Sequence, residues 1–140
     1  MATWDEFDSK NNLLMKWLIA FRADNAITDP LTQWEPIDGD NAILRKLLFC
    51  YNEAYSSPDT SEAAWRPLDS ENDIVRKILG SLPKISTGPA FEWRPIDGTR
   101  DILAKILRVT CENNAETDPQ NNVMQMDNEI WLLRKIIFQQ

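Results

Sequence analysis

One short phrase recurs along this chain and limits what it can fold into. The segments WEPID (34–38), WRPLD (65–69) and WRPID (93–97) share a tryptophan, a proline, an apolar residue and an aspartate at fixed spacing. With the aspartate as anchor there are five copies, at Asp8, Asp38, Asp69, Asp97 and Asp127. Four residues before it stand Trp4, Trp34, Trp65, Trp93 and, in the last copy, Val123; directly before it stand Phe7, Ile37, Leu68, Ile96 and Met126. Eight residues after it a lysine appears each time: Lys16, Lys46, Lys77, Lys105 and Lys135. The anchors are about 30 residues apart, a spacing typical of helical repeats, and the end copies depart from the pattern as terminal repeats do.

After each anchor, apolar residues fall five, six, nine and ten positions on, as in Ile43, Leu44, Leu47 and Leu48. At about 100° per residue these positions form one stripe, so each copy contains an amphipathic helix. The aspartate suits an N-cap, where its oxygen accepts from free backbone N–H groups and its charge faces the positive end of the helix dipole. The apolar residue before it suits a hydrophobic staple folded back on the first turn. The connections TDPLTQW, SSPDTSEAAW, TGPAFEW and TDPQNNV place a proline where a short helical turn would open. No stretch shows a period of two. The expected fold is all-α: a single domain over residues 1–140, with five long helices stacked as a small solenoid or wrapped into a compact bundle.

The recurring lysines flank the stripe, which places their stems on the core and their ammonium groups in water. Asp73 and Asp101 precede Lys77 and Lys105 by four residues, a spacing for helical ion pairs. A ring of five ammonium groups gripping an anionic partner is the functional alternative. Trp4, Trp34, Trp65 and Trp93 read as plugs between successive helices rather than as a ligand pocket. Trp17 belongs to the stripe, while Trp131 lies just off it as a surface contact. Cys50 and Cys111 sit inside apolar helical patterns as small buried side chains.

The chain has no histidine, no Gly-rich phosphate loop and no paired-cysteine motif, so no metal, cofactor or catalytic residue is expected. Acidic strings such as DSEND lack the alternating oxygen ligands of a calcium loop. A net charge of -7 opposes nucleic-acid binding. The apolar runs are too short and too charged to span a bilayer, and the amino terminus carries no visible targeting signal.

The phrase W-x-P-I-D-G-x-x-x-I-L-x-K-I-L, carried here by all five copies in whole or in part, resembles short helical repeats of poorly characterised proteins of tailed bacteriophages. That resemblance implies a virion-associated or assembly protein, made in the cytoplasm, rather than an enzyme. The expected function is a non-catalytic structural or adaptor role, with self or a larger virion or host protein as partner. The rival is a small acidic inhibitor that mimics an anionic ligand of a basic host site; mixed Arg-Lys pairs on the helices fit a scaffold better. The last helix ends close to the final residue, so Ile136, Ile137 and Phe138, with Trp131, are expected to form an open apolar docking surface.

Overall fold

The computed structural model describes residues 2–55 and 64–140. They form five long α-helices: α1 (Lys10–Asp24), α2 (Asp40–Ala54), α3 (Glu71–Ser81), α4 (Thr99–Asn113) and α5 (Glu129–Phe138). No strand occurs among the described residues, and no helix is long and apolar enough to cross a membrane. Each helix starts two residues after its anchor aspartate. Pro30 and Pro119 open 3₁₀ turns (Pro30–Thr32 and Pro119–Asn121), where Asp29 and Asp118 accept from the N–H groups of Leu31 and Gln120. The corresponding Pro89 begins only a hydrogen-bonded turn, in which the Phe91 and Glu92 N–H groups donate to the carbonyl of Gly88, itself at φ 112°. The turn expected around Pro58 lies outside the described residues.

The apolar stripe becomes the core as its spacing requires. From Leu13, Leu14, Trp17 and Leu18 in α1 to Leu132, Leu133, Ile136 and Ile137 in α5, every stripe position is at most 1 % exposed. Each helix packs against the next in sequence, and α5 packs against α1, so the row closes on itself. The helix starts meet at one end. Lys10 of α1 pairs there with Glu71 of α3 and, at 3.1 Å, with Glu129 of α5. Asn11 donates to the Asp38 carbonyl at 3.2 Å, Asn72 to that of Asp97 at 3.2 Å, and Arg100 to that of Asp127 at 2.9 Å. The last turns of all five helices face one another at the opposite end, around a cavity that includes Phe21, Tyr51, Leu82, Thr110 and Gln140. The five helices therefore run parallel, and each connection returns the chain to the starting end.

This closure corrects the expectation for the last helix. Ile136 and Ile137 are fully buried, because α5 is covered on one side by α4 and on the other by α1; Phe138 is half-buried. Only Trp131 remains substantially exposed, with its ring edge-on to Trp4 at 5.9 Å. Cation–π contacts join neighbouring segments: the Arg45 guanidinium lies over Trp65, that of Arg76 over Trp93 and that of Arg134 over Trp4, at 4.3–4.9 Å from the ring centres. The last of these joins α5 to the segment ahead of α1. Trp4, Trp34 and Trp65 pack against the core as inter-helix plugs, whereas Trp93 is more exposed.

The anchor aspartates are not the N-caps. Those positions belong to the next residue, Ser9, Gly39, Ser70, Gly98 or Asn128, in extended conformation; Ser9, Ser70 and Asn128 accept N–H bonds from the first turn. Nor do the three central lysines reach water. Lys46, Lys77 and Lys105 are buried, and all five recurrent lysines place Nζ on the anchor carboxylate of their own copy, at 2.5–2.7 Å. Asp73 and Asp101 consequently make no ion pair with Lys77 or Lys105. They accept instead from the backbone N–H groups of Ser70 and Gly98.

The stability consequence differs from that of a lost cap. Removing a cap costs about 1 kcal/mol, but removing one member of a buried pair strands the other and costs about 3–5 kcal/mol. Asp69→Ala is therefore expected to destabilise by about 3 kcal/mol or more. The double variant Asp69→Ala/Lys77→Met should lose less than the sum of its single changes, as read from denaturant midpoints in a double-mutant cycle.

Candidate functional site

At the end where the helices start, five similar turns surround the bundle. In each, the residue after the tryptophan position and the anchor aspartate exchange two hydrogen bonds. The aspartate N–H donates to the carbonyl of Asp5, Glu35, Arg66, Arg94 or Met124 at 2.9–3.0 Å, and its Oδ2 accepts their N–H at 2.7–2.9 Å. The same oxygen accepts from the lysine eight residues on. In the last four copies that ammonium also donates to the carbonyl just before the tryptophan position, at Gln33, Ala64, Glu92 or Asn122, at 2.8–3.0 Å. One buried lysine thus ties the helix, the turn and the incoming chain together.

These contacts set the charge state of the carboxylates. In Asp8 the Lys16 hydrogen bond, assisted by the backbone N–H, holds the carboxyl below its ordinary range. Burial pushes the carboxyls of Asp38, Asp69 and Asp97 up, but the bonds from Lys46, Lys77 and Lys105 with those from backbone N–H groups outweigh it, leaving all three lowered. Lys16 is raised, chiefly by its bond to Asp8. Every recurrent lysine is occupied by its own aspartate, so the five do not form a track for an anionic partner.

The turns also decide where the residue before the aspartate goes. Phe7, Ile37, Leu68, Ile96 and Met126 occupy the turn tips and are 88–96 % exposed. The expected staple is absent, because closing each turn by the aspartate holds this side chain out from the first helical turn. Five apolar side chains therefore stand in a crown on the end of the bundle, with Trp131 beside them at the start of α5. Large apolar side chains exposed at one repeated position make this end the candidate surface. Sequence reasoning treated each of the five as a local packing device. The signal that could have revealed the crown was their recurrence outside the stripe.

The residues that begin the turns, Asp5, Glu35, Arg66, Arg94 and Met124, are exposed and add charge to the rim. Following the ring, an acidic arc (Asp5, Glu6 and Glu35) adjoins a basic arc (Arg66 and Arg94) and then an uncharged turn (Met124 and Gln125). The opposite end offers less. Its cavity of about 190 Å³ has an aromatic wall of Phe21 stacked on Tyr51, but its amides are committed within the chain: Asn25 to the carbonyl of Phe21, Asn114 to that of Gln139, Gln140 to that of Ile136 and Gln139 to the Glu116 carboxylate. Cys50 and Cys111 are free and buried, and burial pushes the Cys111 thiol up to about 11, away from the reactive thiolate. No group of acidic or cysteine side chains among the described residues is placed to hold a metal ion.

No protein-family model, curated protein or solved structure matches the chain.

The carboxylate shifts give a signed pH dependence. A group whose folded pKa is lowered stabilises the fold above its unfolded pKa of about 3.9, and that contribution is lost as pH falls through the folded value. Asp8, Asp38, Asp69 and Asp97 all act in this sense. Urea midpoints are expected to fall steeply below about pH 4. The fall should be shallower in a variant carrying Asp38→Asn and Lys46→Met together, which removes one of the titrating pairs.

Proposed function

We propose that this chain is a single domain of five copies of one helical unit, closed on itself, and that it acts without catalysis as a structural or adaptor protein. In line with its repeat phrase, we place it in a bacteriophage particle or in the assembly of one. Its working surface is the apolar crown. The observation that carries this reading is the near-complete exposure of Phe7, Ile37, Leu68, Ile96 and Met126 at one position of all five turns. Folding contributes no reason to keep them apolar, whereas contact with another protein does.

The charge-mimic alternative has less support. Five of the carboxylates that make the chain acidic are paired with lysines inside the structure, and two arginines share the rim with the acids. A one-sided acidic face is what such a mimic needs. The interface expected at Ile136 and Ile137 moves to the other end of the copy; Trp131, at the start of α5, stays within it.

Replacing the five crown residues with serine together tests the reading. The variant should keep the helical content and urea midpoint of the parent, because none of the five is buried, and should lose at least tenfold in affinity for the proteins the parent retains from particles or lysate. A folded five-serine variant that retains the same proteins as tightly would sink the proposal.

A further inference from the structure

Building on that reading of the crown, we infer that its occupant is a second copy of this chain, seated end to end across a two-fold axis in the plane of contact. Area is the first reason. Five large, nearly fully exposed apolar residues offer an area of the order one partner contributes to a stable dimer, about 800 Å². A contact between like ends is isologous, so the surface must complement itself.

The order of charges on the rim supplies that complementarity and selects one axis. Around the closed row, the residues that begin the turns are Asp5, Glu35, Arg66, Arg94 and Met124. A two-fold axis in the contact plane reverses this order. If it passes through the fifth turn and between the second and third, Asp5 faces the partner's Arg94, Glu35 faces the partner's Arg66, and Met126 meets the partner's Met126. An axis through any of the other four turns places that turn's charged residue against its own copy, a like-charged pair that opposes association. Of the five alignments, only this one opposes all four turn-opening charges by opposite charges. Arg66 and Arg94 are exposed and make no ion pair with another described residue.

Charge exchange with sedimentation velocity tests this alignment. The intact protein is expected to dimerise, with Glu35→Arg and Arg66→Glu each weakening the dimer roughly tenfold or more, since each places two like-charged pairs in the contact. The double variant Glu35→Arg/Arg66→Glu should recover the parent constant. An equimolar mixture of the two single variants should also recover dimer, because each then meets its opposite. Under mild oxidation, Met126→Cys should cross-link to itself and Ile37→Cys should not.

A protein that stays monomeric at about 0.1 mM overturns the inference, as does a dimer whose constant neither charge change moves. Failure here is distinguishable from failure of the crown as a docking surface. A monomer whose five-serine variant still loses a different protein leaves that surface standing with another occupant. A dimer unaffected by the five serines removes both proposals.

Discussion

The buried pair between each anchor aspartate and the lysine eight residues later is the interaction on which the rest of this structure depends. An isolated ammonium group within the bundle would be unsustainable, and a single aspartate would only partly offset the cost of burying it. The arrangement works because each charge has a backbone partner besides its opposite charge. In the central copies the carboxylate accepts from the lysine and a backbone N–H, and the ammonium donates to the carboxylate and a backbone carbonyl. The pair therefore specifies geometry more than it adds stability. It fixes how the chain enters each helix, which fixes the direction of the stripe, which allows five stripes to converge on one core.

Repeating one directional device leads to parallel helices, and parallel helices raise an electrostatic problem. Each contributes about half a positive charge at its start, and five such ends are gathered together here. The sequence places acids at that end: the anchors themselves, then Asp40, Glu71, Asp73, Asp101 and Glu129 in the first turns. α1 has no acid in its first turn and instead contributes Lys10, which sits between Glu71 and Glu129 and joins three helices. Part of the chain's acidity thus meets a local requirement of the fold. Its acids compensate dipoles before they can present a face to a partner.

Much of this could be read from the residues. The stripe positions all became core, the helices began within two residues of the anchors, and Trp17 and Trp131 took their interior and surface places. What stayed illegible were choices between local roles that share one spacing. An aspartate just before a helix can cap it or close the turn ahead of it, and only the helix register separates the two. A lysine beside an apolar stripe can reach water or turn inward, and the outcome depends on an acceptor the chain places eight residues earlier. Closure of α5 onto α1 could not be read either, because it depends on the angle between successive helices rather than on any residue. That angle buried Ile136 and Ile137, which an open stack would have left bare.

The crown follows from the same geometry but is not required by it. Closing the turn needs the aspartate and a backbone that can reverse, and an exposed turn tip is a place where Asn, Asp, Ser or Gly is at home. An apolar residue there adds no contact within the fold, and five of them add apolar surface that makes an isolated molecule prone to stick. Within this one chain the helix lengths vary, the tryptophan is once a valine and the proline is twice absent. The tip residue changes from Phe to Ile, Leu and Met, yet it stays large and apolar in every copy. Among the described residues nothing covers these five side chains, so their shared hydrophobicity is not accounted for by packing within the fold.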